Sequence, residues 1–199
     1  AVTGILLVDK PEGMSSAHVV AVVKRSLGGL KVGHLGTLDP FASGLLPLLL
    51  GRATRLMPYL VGLPKRYLGI LRLGVRTDTD DRQGAVIATD EAWRDVDDDR
   101  LAQAAAALTG TITQVPPAYS ALKLAGRPAY ARARAGETVE LAPRQVRLDR
   151  LLLETLPDDF LRQIGRPGER RCRYASRQHI RASFFHEAAD SLHLLFRAF

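Results

Sequence analysis

The segment that most restricts this chain is residues 33–40, Gly33-His34-Leu35-Gly36-Thr37-Leu38-Asp39-Pro40. Gly33 and Gly36 admit backbone conformations closed to other residues, and Pro40 fixes the chain immediately after Asp39. The segment therefore reads as a rigid loop that holds one short acidic side chain in a defined place. Two readings stand on these residues alone. Asp39 projects into a cleft, or it organises a turn, as Asp before Pro often does.

Regular elements are legible on both sides of the loop. Gly4-Ile5-Leu6-Leu7-Val8-Asp9-Lys10 is an apolar run closed by Pro11-Glu12-Gly13, which predicts a strand entering a turn. Ser16 can cap a helix over residues 17–27, with Val19, Val20, Val23 and Leu27 on one face and Gly28-Gly29 as its stop. After an apolar run at residues 45–50, a helix is expected near residues 54–60. Residues 65–74 alternate and predict a strand, residues 75–83 read as a polar loop, and residues 84–89 predict a second strand. Asp97 or Asp98 can cap an alanine-rich helix that ends near Leu108. Further on, strands are expected at residues 118–124 and 146–153, with a short helix at residues 128–135. Strands mixed with irregularly spaced helices indicate an α+β class rather than regular βαβ winding.

Bulk properties narrow the function classes. The 199 residues suit one large domain, or one domain and a fragment, with 46% hydrophobic and 25% charged residues in the range of soluble globular proteins. No stretch approaches the roughly 18 uninterrupted apolar residues of a membrane helix, and no basic-then-apolar leader opens the sequence. Cys172 is the single cysteine, which excludes a disulfide framework and a cysteine-based metal site. A reduced, cytoplasmic protein is the expectation. The formal net charge is +7, unevenly spread: residues 1–74 carry 9 basic against 3 acidic side chains, residues 75–100 carry 4 against 9, and residues 101–199 carry 15 against 9. Two basic regions flanking an acidic one suit a polyanionic partner such as nucleic acid.

The wider pattern gives the loop a context. His-x-Gly-Thr-Leu-Asp-Pro-x-Ala-x-Gly at residues 34–44 resembles the signature of the TruB family of tRNA pseudouridine synthases. Three further motifs resemble that family in the same order. They are the strand and turn at residues 4–16, then Lys65-Arg66-Tyr67 with Leu73-Gly74-x-x-Thr77-Asp78-Thr79-x-Asp81-x-x-Gly84, then Pro116-Pro117-x-Tyr119-Ser120-Ala121-Leu122-Lys123-x-x-Gly126 with Tyr130-x-x-Ala133-Arg134-x-Gly136. Leu35 is a small departure, because the family more often has Thr or Ser there.

The resemblance implies an α+β pseudouridine synthase fold: a mixed, mostly antiparallel sheet with flanking helices and a central RNA-binding cleft. It implies conversion of the T-loop uridine of tRNA (position 55) to pseudouridine, in which uracil is detached from ribose, turned, and rejoined through carbon. No redox change or energy input is involved, so neither a cofactor nor a metal is expected. The implied partner is the T-arm stem-loop of tRNA, and the protein is expected to act as a monomer. Asp39 is then the catalytic carboxylate, acting as nucleophile or base, and needs a nearby cation or hydrogen-bond donors to stay ionised. Tyr67 matches the family's active-site tyrosine, expected against the flipped base. His34 is expected against the RNA, its ring filling space left by the extruded uridine. Lys10, Lys65 and Arg66 are expected RNA contacts.

The resemblance fails after about Leu156. The family has a Ser-Lys-Gly-Thr-Tyr-Ile-Arg-type strand whose arginine sits beside the catalytic carboxylate; here the nearest text is Ser176-Arg177-Gln178-His179-Ile180-Arg181, one residue short. Arg181 is the candidate for that arginine. The expected organisation is thus an incomplete catalytic domain at residues 1–156 and a divergent tail at residues 157–199, the latter with eight arginines and no lysine. A frameshift or early stop is the expected origin of that tail, with no C-terminal RNA-binding module and a sheet lacking one strand. The competing function on the same scaffold is a catalytically impaired tRNA-binding protein or RNA chaperone.

Overall fold

The computed structural model describes residues 2–116, 123–124, 126–129, 132, 135–139, 141–156 and 179–187. The chain divides into two compact units, the first at residues 1–63 and the second beginning at Pro64.

In the first unit, strand β1 (Gly4–Lys10) leads through a turn into helix α1 (Ser16–Ser26), then β2 (Val32–His34) and β3 (Gly44–Leu50). A 3₁₀ turn at Gly51–Leu56 and a single helical turn α2 (Met57–Leu60) close the unit, where one helix was expected. Pro58 at the start of α2 suits a first helical turn but cannot continue a longer helix from Thr54. The strands form an antiparallel sheet of order β1-β3-β2, with Leu6 opposite Leu48, Val8 opposite Leu46 and His34 opposite Leu48. Alternate residues share a face. Leu46 and Leu48 are fully buried against Val19 of α1, with Val8, Met14, Val20, Val23, Val32 and Leu38 packed around them. The helix cap lies one residue earlier than expected. Ser15, not Ser16, accepts the His18 amide, at 3.1 Å.

The second unit holds a four-stranded antiparallel sheet of order β4-β11-β10-β7, made by β4 (Lys65–Arg72), β7 (Gly110–Gln114), β10 (Arg144–Thr155) and β11 (His179–Glu187). Hairpin β5 (Val75–Thr77) with β6 (Val86–Thr89) follows β4, and a two-residue ladder joins β8 (Lys123–Leu124) to β9 (Arg127–Pro128). Helix α3 (Asp98–Ala107) is capped by Asp97, whose carboxylate accepts the Arg100 amide at 2.8 Å. It packs on β10 and buries Leu101 and Ala105 against Leu71, Leu73, Leu148 and Leu151, with Tyr67 and Trp93 at the margin. The α+β architecture with antiparallel sheets is the one expected. One point differs. A strand, β11, is present where the sheet was expected to lack one: residues 179–187, inside the stretch expected as a divergent tail, run between β4 and β10. The strand and helix expected at residues 118–124 and 128–135 fall largely outside the described residues. Among the described residues, no helix is long and apolar enough to cross a membrane.

Gly74, in the turn between β4 and β5, has a φ of +74°, and a Cβ there would collide with the Trp93 ring and the Asp90 carbonyl. Gly74→Ala combines left-handed strain with a clash against an aromatic core residue. It is expected to cost about 2–4 kcal/mol, read in a thermal melt as a fall of roughly 5–15 °C.

Candidate active site

The Asp39 loop is held from beneath by the turn that follows β1. Gly36, at a φ of +95°, reverses the chain after His34, and the Leu35 amide donates to the Pro47 carbonyl at 3.0 Å. Leu38 packs into the core of the first unit. Its backbone is gripped on both polar groups by one hydroxyl: the Leu38 amide donates to Ser16 Oγ at 2.9 Å, and Ser16 Oγ donates to the Leu38 carbonyl at 3.0 Å. Beyond Asp39, the Gly13 amide donates to the Pro40 carbonyl at 2.7 Å, and the Ala42 amide to the Asp39 carbonyl at 3.0 Å. The loop is fixed on both sides of a half-buried Asp39.

Lys10 requires a correction. It was expected to meet RNA phosphate, but it is the most deeply buried charged side chain described, at 0% exposure. Its ammonium donates to the carbonyls of Met14 at 2.7 Å, Pro11 at 3.0 Å and, more weakly, Pro40 at 3.5 Å. Burial lowers its pKa from the ordinary lysine value, while the carboxylates of Asp39 and Glu12 act to raise it. Lys10 is therefore an internal cation close to Asp39. It ties the turn after β1 to the Asp39 loop and sets a positive charge near that carboxylate.

His34 sits at the end of β2, half-buried. Its Nδ1 donates to the Gly36 carbonyl across the turn, which fixes the ring's orientation. Lys65, Arg66 and Tyr67 open β4 in the second unit. Arg66 is exposed, Lys65 is half-buried, and Tyr67 is half-buried with its ring against the core cluster of Leu71, Leu148 and Leu151. Arg181 occupies the register position opposite Ile70, flanked on the other side by Glu154, whereas Tyr67 is opposite Phe184. Positions 67 and 70 are three apart on one strand and belong to opposite faces of the pleat. On β4, Arg66 and Ile70 are exposed while Tyr67 is half-buried. The structure thus brings Lys10 close to Asp39 and places His34 at the end of β2 in the same unit, with Lys65, Arg66, Tyr67 and Arg181 on adjacent strands of the second.

The second motif forms a self-bonded loop. Thr79 Oγ1 and the Gln83 amide both donate to Asp81 Oδ1, at 2.7 and 2.8 Å, and the Ala85 amide donates to Asp78 Oδ1 at 2.9 Å. Among the described residues, no group of three or more His, Cys, Asp or Glu side chains could hold a metal ion. In the third motif, Glu137 is held by Arg132 Nε at 2.6 Å, and that hydrogen bond lowers its pKa. Two contributors at the Asp39 loop were missed from the sequence. Ser16 was read as a helix cap, and the carbonyls of Pro11 and Met14 carry no side-chain signal.

A glycine- and proline-bounded carboxylate stands beside a buried lysine on an antiparallel α+β scaffold, and comparison with known proteins gives the family. The family described as TruB family pseudouridylate synthase (N terminal domain) matches residues 24–163. The chain is 51% identical over 161 residues to tRNA pseudouridine synthase B of Aromatoleum aromaticum, covering 81% of this chain and 52% of that protein. It is 50% identical over 163 residues to tRNA pseudouridine synthase B of Leifsonia xyli, covering 80% and 54% respectively. The fold is similar to a crystal structure of a Cbf5-Nop10-Gar1 complex, with a TM-score of 0.59 at 24% identity, covering 97% of this chain and 42% of that one. The chain belongs to the TruB family of pseudouridylate synthases. It spans about half the length of the curated relatives it matches.

Proposed function

We propose that the chain isomerises uridine to pseudouridine in tRNA, at the T-loop uridine of the T-arm, with Asp39 as the catalytic carboxylate. The single observation that carries this reading is the Asp39 loop, with the carboxylate beside a buried Lys10 and its backbone fixed on both sides. A uridine stacked in a folded loop must be extruded before a carboxylate can reach it. His34, its ring held by Gly36, is suited to occupy the space left behind. Asp39 then acts on the extruded nucleotide as nucleophile or base. Uracil leaves the ribose through cleavage of its N1 bond, turns, and rejoins through carbon 5; the proton at that carbon passes to solvent and N1 takes one up. Arg66 and Lys65 are proposed contacts to the RNA backbone, Tyr67 the contact to the base, and Arg181 a second cation for the site. The reading needs no cofactor, and takes the protein as a cytoplasmic monomer.

The test uses T-arm RNA tritiated at uracil carbon 5. Release of tritium to solvent, in an amount that tracks protein concentration, is the expected result. RNA binding without release would instead leave an RNA-binding protein on the same scaffold.

A further inference from the structure

We propose that Ser16 is a positioning residue for Asp39, acting through the backbone of Leu38. Ser16 stands at the first turn of α1, where a serine ordinarily caps the helix. Here Ser15 fills that role, and the Ser16 hydroxyl turns to a residue 22 positions away. It is 2% exposed and makes two hydrogen bonds to one residue, accepting from the Leu38 amide at 2.9 Å and donating to the Leu38 carbonyl at 3.0 Å. A single hydroxyl thereby satisfies both polar groups of a peptide segment that has left β2 and does not yet belong to β3. With the Leu38 side chain seated in the core, the residue before Asp39 is held at three points. The other flank is held separately, by Gly13 and Lys10 on the Pro40 carbonyl.

The two flanks differ in redundancy. Pro40 is held by a backbone amide and a lysine, whereas both polar groups of Leu38 depend on one side-chain atom. Removing that atom frees the Leu38 peptide to rotate, and the Asp39 carboxylate moves with it. A displacement of about 1 Å at a reacting group is enough to cost on the order of 100-fold in rate. Ser16 contacts nothing that reacts, so its removal is expected to act on the chemical step and leave RNA affinity nearly intact. This consequence rests on the proposed activity, whereas the clamp itself does not.

The experiment compares wild type, Ser16→Ala, Ser16→Thr and a control, Leu101→Ala, which opens the core of the second unit. Tritium release, RNA affinity, thermal melting and amide hydrogen exchange are measured on each. Ser16→Ala is expected to lower kcat about 10- to 100-fold with Kd for RNA within about threefold, and to speed exchange at residues 36–41 but not in β1 or β3. Ser16→Thr, which keeps the hydroxyl, is expected to restore most of kcat, while Leu101→Ala lowers Tm and keeps kcat. The inference is overturned if kcat of folded Ser16→Ala stays within about threefold of wild type, or if Leu101→Ala reproduces the loss. Should wild type release no tritium, the proposed activity fails on that result, and exchange decides the clamp: unchanged protection at residues 36–41 in Ser16→Ala overturns it, and selective loss there upholds it.

Discussion

Asp39→Ala is expected to reduce tritium release from T-arm RNA by about 1000-fold or more, while RNA affinity changes by less than about fivefold. The asymmetry follows from where the carboxylate sits. Asp39 is one half-buried side chain on a loop whose course is set by backbone and core contacts. The Leu38 peptide is held by Ser16, the Pro40 carbonyl by Gly13 and Lys10, and the Leu38 side chain by the core. These contacts hold the backbone on both sides of residue 39, so the loop's course is expected to survive the substitution. Lys10 loses one of the two carboxylates that raise its pKa but keeps its carbonyl acceptors, and Tm is expected to move by only a few degrees. Asp39→Asn is the sharper version, since it keeps the shape and one acceptor oxygen while removing the charge and turning the other oxygen into a donating amide nitrogen. Equal tritium release by Asp39→Asn and wild type would remove Asp39 from the chemistry.

How much of this was legible in the sequence depends on the range of the contacts involved. Elements built on local periodicity were readable: β1 and β4 from their apolar or alternating runs, α3 from its alanines and its Asp cap, and β10 from Val146 onward. Short elements were not. Strand β7, Gly-Thr-Ile-Thr-Gln, has one strong apolar residue and is defined by its ladder to residues 144–148, which lie about thirty positions away. Strand β5 was hidden in a segment whose dominant signal is its acidic loop. Residues 179–187 lack a clear apolar rhythm, and only pairing with β4 and β10 makes them a strand. The loop itself was legible as a motif, but not the way it is held. Ser15 and Ser16 are equally able to cap α1, and what separates them is a partner at Leu38 that no local rule can see. Arg181 illustrates the same range: its register opposite Ile70 and Glu154 is set by strands far from it in sequence.

Lys10→Met is expected to destabilise the first unit by about 2–4 kcal/mol and to leave the salt dependence of RNA binding unchanged. Methionine fills nearly the same volume, so the cost is not a cavity. It arises because the Pro11 and Met14 carbonyls, and more weakly that of Pro40, lose a donor inside the protein, and an unpartnered buried acceptor costs about 1–3 kcal/mol. Water reaching these carbonyls recovers part of that, which keeps the total below the simple sum. Asp39 also loses its nearby cation. On a chain of this size the stability loss reads as a fall of roughly 4–16 °C in Tm. The outcome separates two roles for one lysine. A phosphate contact, when removed, weakens RNA binding and lowers the slope of log affinity against log salt by about one, with little change in Tm. An internal tether does the reverse. Because Lys10 is fully buried and its ammonium faces backbone carbonyls, the tether is the expected result. A reduced salt slope with an unchanged melt would return Lys10 to the RNA-binding surface.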